Sequence, residues 1–411
     1  MLEIGFLMFS SVRTDFLIIG SGVIGLSIGI SILKSNPDKK VLIVEKESAS
    51  GLHASGRNSG VLHAGFYYSS DSIKAQFCAD GNRELKAFCK ANDLPLKEIG
   101  KVVVTSNQGE LERLNNLYER GIRNKIELEL LNESELRKIE PAARTHGQFI
   151  WSPTTAVGDP KAVITQLCEI FKKMGGKFFY GKEISLTTSG TEIIPIADKS
   201  MFPNSFVINT AGAYADQIAK SVGVGSEFIC LPFIGIYRSN KSYAQSPKKL
   251  IYPLPHPINP FLGAHVTVKL NGDIKIGPTA FPVIGREQYS LKSAVSLFEL
   301  RNFAYASTAL IRGKEYNLFE IVRSEFPKFR TKTLINGIRG MVPNIAHGQD
   351  WQKLPPGIRA QLVNRENGKL EQDFIIRHKA NSVHILNAVS PGWTCALPFG
   401  RWIAESIVGH G

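Results

Sequence analysis

The stretch Phe16-Leu17-Ile18-Ile19-Gly20-Ser21-Gly22-Val23-Ile24-Gly25 decides the fold. An apolar run of strand type ends in a glycine pattern and passes into uncharged sequence with helical character. A second apolar run, Val41-Leu42-Ile43-Val44, ends in Glu45, twenty residues after Gly25. Strand, glycine turn, helix, strand and acidic residue in that order describe a dinucleotide-binding unit. Gly20 permits the tight turn, Gly22 lets backbone N–H groups approach a diphosphate, and Gly25 lets helix and strand pack closely. The helix N-terminus carries the partial positive charge that receives a diphosphate. Glu45 is placed to accept hydrogen bonds from a ribose. The plainer alternative is a βαβ unit with glycines at its turn, and the acidic residue at the right distance argues against it.

Residues 16 to 33 carry no charge, which on hydropathy alone imitates a membrane span. Gly20, Gly22, Gly25 and Gly29 within it point instead to a buried parallel strand and the packed face of its helix. The first thirteen residues are apolar but lack the basic start and cleavage site of a secretory signal. The first strand needs nothing before about Arg13, so Met8 is a second candidate start.

The chain has 411 residues, 43% of them hydrophobic, enough for two domains or one elaborate α/β body. Its net charge of +13 is spread out, with no block of five cations and no interleaved aromatics. That pattern excludes a nucleic-acid binder and leaves a small anionic substrate or peripheral contact with an anionic membrane face. Cys78, Cys89, Cys168, Cys230 and Cys395 show no CxxC spacing. They read as free thiols of a cytoplasmic protein, with no zinc or other metal site.

Further along, helices are expected over 72–92, 110–124, 133–138 and 159–174. The run Ser205–Asn209 then enters a second strand–glycine turn at Ala211-Gly212. Residues 232–285 are rich in β-formers with turn signals such as Asn271-Gly272, as in an antiparallel sheet. Residues 291–326 are mostly helical. A strand at 383–386, a loop at Ser390-Pro391-Gly392 and a helix over 396–408 close the chain. The predicted class is α/β, α+β overall, with a Rossmann-like domain interrupted by an antiparallel-sheet domain. The cofactor domain is assigned 13–95, 142–225 and 336–411, and the substrate domain 96–141 and 226–335. A cofactor fold completed by distant segments favours FAD over a nicotinamide.

In line with this reading stands a specific string, Ser55-Gly56-Arg57-Asn58-Ser59-Gly60-Val61-Leu62-His63-Ala64-Gly65-Phe66-Tyr67-Tyr68, followed by Ile73-Lys74-Ala75-Gln76-Phe77-Cys78. Pro260 to His265, Ile276-Gly277-Pro278, Arg286-Glu287, Gly357 to Gln361, Asn387-Ala388 and Ser390-Pro391 continue it. With these motifs the chain resembles the FAD-dependent glycine oxidase and D-amino-acid oxidase superfamily, and within it the L-2-hydroxyglutarate dehydrogenase/oxidase family, from about Asp15 to the last helix. It departs from the family at Ile234 and Ile236, where an arginine and an acid are usual, and at Thr279 and Trp393, departures expected to cluster where the substrate sits.

The resemblance implies oxidation of a 2-hydroxy acid to the 2-oxo acid. A base takes the hydroxyl proton as hydride leaves C2 for flavin N5, and a cation holds the carboxylate. His63 and His265 rank equally as the base. For His63 the alternative is a loop histidine orienting the flavin, and for His265 a half-buried strand histidine. Arg359 is the carboxylate clamp, with a structural salt bridge as its alternative. Tyr67 and Tyr68 are candidate donors to the substrate. Lys74 is expected to be a solvated lysine, and His347 a loop residue. For the cofactor the candidates are Gly20, Gly22, Gly25, Glu45, Arg57, Asn58, Ser59, Gly212, Ser390, Pro391 and Gly392. Cys395 is read as a buried cysteine and not a flavin attachment point. Electrons would pass on to a quinone or to oxygen. An amino-acid or amine oxidase of the same superfamily is the alternative activity.

Overall fold

The computed structural model describes residues 10–255, 261–346 and 350–407. Pro260 and His347 lie outside the described residues. A six-stranded sheet forms the centre of one half of the molecule. Its strands run in the order Lys177–Tyr180, Val41–Glu45, Phe16–Ile19, Phe206–Asn209, Ser382–Leu386 and Ile375–Lys379. All neighbours are parallel except the last pair. All four residues of the Phe16–Ile19 strand are buried. Phe16 and Ile18 face one apolar cluster, and Leu17 and Ile19 face another. Burial on both faces is why this strand reads as an unbroken apolar run.

The first helix, Val23–Ser35, lies in the same cluster as Phe16 and Ile18. A Cβ on Gly25 would stand 2.2 Å from the Gly20 carbonyl oxygen, so the glycine is what allows strand and helix to touch. The last helix, Gly392–Ile407, crosses the first so closely that a Cβ on Gly400 would meet Ser27 Cβ at 2.6 Å. The first and last helices are thus packed into one layer.

The second half is built on a nine-stranded sheet. The β-rich stretch predicted over 232–285 supplies Phe228–Asn240, Leu250–Pro253, His265–Val268, Ile274–Gly277 and Phe281–Pro282 to it. Three earlier strands join them, of which Lys101–Val104 pairs in parallel with Leu250–Pro253. Gln148–Ser152 is another of these three, and Gln352–Asn364 pairs with Phe228–Asn240. The sequence reading places no element at 352–364, and Pro355 and Pro356 are unusual inside a strand. The pairing explains why they are tolerated. The register shifts between Gly235 and Tyr237, which oppose Gly357 and Leu354, so both prolines fall in the bulge. Helices Leu297–Gly313 and Leu318–Glu325 follow the sheet.

Candidate functional site

One cavity of about 900 Å³ runs from the glycine turn to the nine-stranded sheet. Of the expected cofactor residues, all but Gly25 line it. Gly25 acts behind the wall, in the strand–helix contact described above. Gly22 begins the first helix without a side-chain cap of its own, and the Ser55 hydroxyl accepts from Val23 N–H at 3.0 Å instead. Glu45 Oε2 accepts from both the N–H and the hydroxyl of Ser21 at 2.8 Å, and Oε1 from Glu47 N–H at 3.0 Å. This fixes the carboxylate at the end of its strand and leaves acceptor capacity for a diol. Gly212 has φ +55° and open space where a Cβ would be. A side chain there would be strained and would enter the cavity.

The loop after the second strand is held by its own side chains. Asn58 Nδ2 donates to Ser55 O, and its Oδ1 accepts from Gly60 N–H, both at 2.8 Å. Arg57 Nε donates to Leu52 O at 2.7 Å, and its guanidinium lies 4.1 Å from the Tyr289 ring centroid. The approach of strand Gln352–Asn364 is close here, since a Cβ on Gly357 would meet Arg57 O at 2.7 Å. A helix start capped only by Ser55, an anchored carboxylate and glycine-lined walls fit the adenosine and diphosphate of FAD.

At the far end stand His63, Tyr67, Tyr68, Tyr252, His265 and Arg359. Both histidines are buried rather than half-buried. His265 Nδ1 lies 2.9 Å from Gly263 O, an acceptor only, so this nitrogen carries the proton and Nε2 presents a lone pair. Its ring stacks on Tyr252 at 3.8 Å. Burial is the main reason both imidazoles titrate at about 3, with the nearby Lys101 charge acting in the same direction. Both are therefore neutral and able to accept a proton.

Lys101 was not singled out in the sequence. It sits behind the cavity wall, fully buried, 4.3 Å from the Phe66 ring centroid, 4.5 Å from that of Tyr67 and 5.0 Å from that of Tyr252. Among the described residues its ammonium finds no hydrogen-bond acceptor, and neither the Tyr67 hydroxyl nor Nδ1 of His63 finds a partner. Burial brings Lys101 down to about 7. The pairing of Lys101–Val104 with Leu250–Pro253 brings Lys101 beside Tyr252, and the loop carrying Phe66 and Tyr67 folds onto it.

Arg359 lies on strand Gln352–Asn364, opposite Phe233. Its Nε donates to Gln361 Oε1 at 2.9 Å, and its guanidinium sits 4.7 Å from the Phe261 ring centroid. Among the described residues no carboxylate pairs with it. Burial lowers it to about 10, against the opposing effect of Tyr68. The salt-bridge alternative thus finds no partner. Arg286 also lines the cavity but is tied to Asp216 at 2.6 Å.

Two expectations are corrected. Lys74 is not solvated but 2% exposed, and it lines the cavity. Ile234 and Ile236, which seemed to alter the substrate end, do not line it. Alternation along Phe228–Asn240 turns Phe233, Gly235 and Tyr237 to the cavity and the two isoleucines into an apolar cluster with Val283. Thr279 and Trp393 do line the cavity, so those departures lie at the site. Cys395 is buried and off the cavity wall. At the cavity wall, where His53 and Lys46 stand, Glu47, His53 and Glu287 bring ligand atoms within 4.8 Å of one another. Lys46 already occupies the gap between those carboxylates, bonding both.

The model of the FAD dependent oxidoreductase family, DAO, matches residues 15–406. The chain is 35% identical over 403 residues to the L-2-hydroxyglutarate dehydrogenase of Escherichia coli K12, covering 96% of this chain and 93% of that one. It is 35% identical to the enzyme of the same name from Indibacter alkaliphilus, over 95% and 97% of the two chains. It is 30% identical to the mitochondrial enzyme of mouse, over 94% and 87%. In structure it resembles the FAD-bound L-alpha-glycerophosphate oxidase of Mycoplasma pneumoniae, with TM-score 0.76, 21% identity and 97% and 96% coverage. It also resembles glycine oxidase from Geobacillus kaustophilus, with TM-score 0.71, 17% identity and 97% and 95% coverage. These last two likenesses establish the fold.

Proposed function

The chain belongs to the FAD-dependent oxidoreductase (DAO) family, and from that membership we propose that it oxidises L-2-hydroxyglutarate to 2-oxoglutarate, the activity named for its relatives. Bound FAD supplies the two-electron oxidant for a CH–OH group. The observation that carries the reading is a buried arginine without a carboxylate partner in the same cavity as two neutral histidines. Arg359 holds the substrate's 1-carboxylate through its two terminal NH2 groups, while Gln361 fixes Nε and so the plane of the fork. His265 takes the hydroxyl proton at Nε2, its tautomer set by Gly263 O. His63 stands as the second acceptor, and Tyr67 and Tyr68 donate to the substrate. An anionic substrate beside the histidines offsets part of the burial penalty and raises their basicity.

In this reading Gly20, Gly22 and Glu45 hold the adenosine end of FAD, with Gly25 supporting the turn. Arg57, Asn58, Ser59 and Gly212 hold the middle, and Ser390, Pro391 and Gly392 lie near the ring. Residues 13–95, 142–225 and 336–411 carry the cofactor, and 96–141 and 226–335 shape the substrate end. The strands Gln148–Ser152 and Gln352–Asn364 tie the first group to the large sheet.

Electrons leave to a quinone or to oxygen. Among the described residues no helix is long and apolar enough to cross a membrane. The helical segment 297–330 nevertheless exposes Leu297 at 86%, Phe319 at 74% and Phe326 at 57%. Arg301, Arg312, Lys314 and Arg323 are exposed on the same segment. Glu315 and Glu320 are exposed there too, and the exposed apolar side chains with a surplus of cations support peripheral contact with an anionic membrane. Anaerobic bleaching of the flavin with L- and D-2-hydroxyglutarate, L-malate, L-lactate, glycine and sarcosine tests the activity. Bleaching by L-2-hydroxyglutarate supports the proposal, and bleaching by amino compounds alone refutes it.

A further inference from the structure

Arg359 is not the only buried cation facing the cavity. Lys74, in the first turn of helix Ile73–Ala91, is almost fully buried and lines the same space. Its Nζ donates to the Gln372 carbonyl and sits 5.4 Å from the Phe374 ring centroid. One carboxylate lies nearby, that of Asp373, and it is committed elsewhere. It accepts from the backbone N–H groups of Ile73 at 2.6 Å, Lys74 at 3.1 Å and Phe374 at 2.8 Å. Asp373 thus neutralises the helix N-terminus and does not bond the ammonium. Burial, with the Arg359 charge as the next cause, brings Lys74 down to about 7. Two buried cations that repel each other, each with N–H donors to spare, are a poor arrangement for stability alone. The same arrangement is favourable once two negative charges arrive.

We propose that Lys74 binds the second, distal carboxylate of the substrate, so that Arg359 and Lys74 together select a dicarboxylate over a monocarboxylate. This rests on the 2-hydroxy-acid reading above. It adds the residue that reads the far end of the molecule. The arginine fork suits a carboxylate that must be held in one plane for reaction. The lysine, a point charge on a flexible stem, suits one that need only be retained. The competing role for Lys74 is structural, a bolt from the helix to the Gln372 carbonyl.

The test compares binding of glutarate and butyrate, which carry no hydroxyl to oxidise, to the oxidised holoenzyme by calorimetry. Kinetics with L-2-hydroxyglutarate and L-2-hydroxybutyrate run beside it. Wild type is expected to prefer glutarate. In K74M the dicarboxylates should lose about 10- to 100-fold, chiefly in Kd and KM, the range for a charge-assisted hydrogen bond. Butyrate should change by less than about threefold, and K74R should restore part of the preference. Equal losses for glutarate and butyrate in K74M, or a wild type without preference, overturn the proposal. If K74M does not retain flavin, K74Q, which keeps a donor for Gln372 O, replaces it under the same criteria. A wild type that prefers glutarate but is bleached by no 2-hydroxy acid would refute the activity and leave the dicarboxylate site standing.

Discussion

Replacing Gly25 and Gly22 by alanine separates two jobs of one motif. A Cβ on Gly25 would lie 2.2 Å from Gly20 O, 2.7 Å from Thr210 Oγ1 and 3.3 Å from Ile18 Cγ2. The first contact is about 1.2 Å short of the 3.4 Å where ordinary contact begins, and the obstacle is backbone. Gly20 has nowhere to retreat, because its φ is +97° and its own Cβ position faces Thr210 O at 2.8 Å. The helix must therefore rise off the strand, at or above the upper range of overpacking costs, about 3 kcal/mol. For a cooperative unit of 150–250 residues that is a fall in Tm of roughly 6–12 °C. At Gly22 the nearest atom is Ser55 Oγ at 3.0 Å, the end of a side chain that can turn aside. G22A should leave the apoprotein within about 1 kcal/mol of wild type and weaken FAD by about tenfold or more, some 1.4 kcal/mol. Thermal melts of the apoproteins and flavin titrations decide the matter. If apo G25A melts with wild type, or apo G22A falls as far as G25A, the account of the motif is wrong.

Four further outcomes are expected. R359M should keep its flavin and lose about 30- to 1,000-fold in kcat/KM, the effect of two charge-assisted hydrogen bonds, with R359K recovering part; unchanged turnover would remove Arg359 from the site. H265N should lower the rate of flavin bleaching by about 10² to 10⁴ while leaving glutarate binding nearly unchanged, and if only H63N slows bleaching the base is His63. His63 and His265, both lowered from 6.5 to about 3, bind protons less well folded than unfolded. Their contribution is complete above pH 6.5 and is lost as pH falls toward 3, at up to about 1.4 kcal/mol per unit each; denaturant midpoints between pH 7 and 4.5 should fall less steeply in H265N, and identical slopes would contradict the burial argument. Finally, L297E/F319E should weaken sedimentation with anionic vesicles without changing flavin reduction in solution, and equal sedimentation would exclude this segment as the contact.

The dinucleotide unit was legible because its physics is local. A doubly buried strand writes itself as Phe16-Leu17-Ile18-Ile19, and the close strand–helix contact demands glycine at 25. The strand at 352–364 was illegible because the reason it tolerates Pro355 and Pro356 is a bulge opposite residues more than a hundred positions earlier. Lys74 was misjudged for a related reason. Lysine is normally solvated, and nothing in Ile73-Lys74-Ala75 reveals that residues 372–374 fold over it. The side of the sheet on which Ile234 and Ile236 lie follows from alternation, yet the direction of the cavity does not. The cage around Lys101 joins strands 101–104 and 250–253 with the loop at 66–67, so no window of sequence contains it.

The crossing of the first and last helices has a bearing on how the protein is made. The strand Phe16–Ile19 leaves the ribosome early, but Phe206–Asn209 on one side of it and the helix Gly392–Ile407 above it arrive only later. Until then an apolar strand and the small-residue face at Ser27 stand uncovered, and the glycine turn has no finished floor. Pairings this distant close slowly, and the waiting surface is prone to aggregate. A holdase that shelters this strand until Phe206–Asn209 and Gly392–Ile407 have been made should raise the yield of yellow protein more than added flavin does.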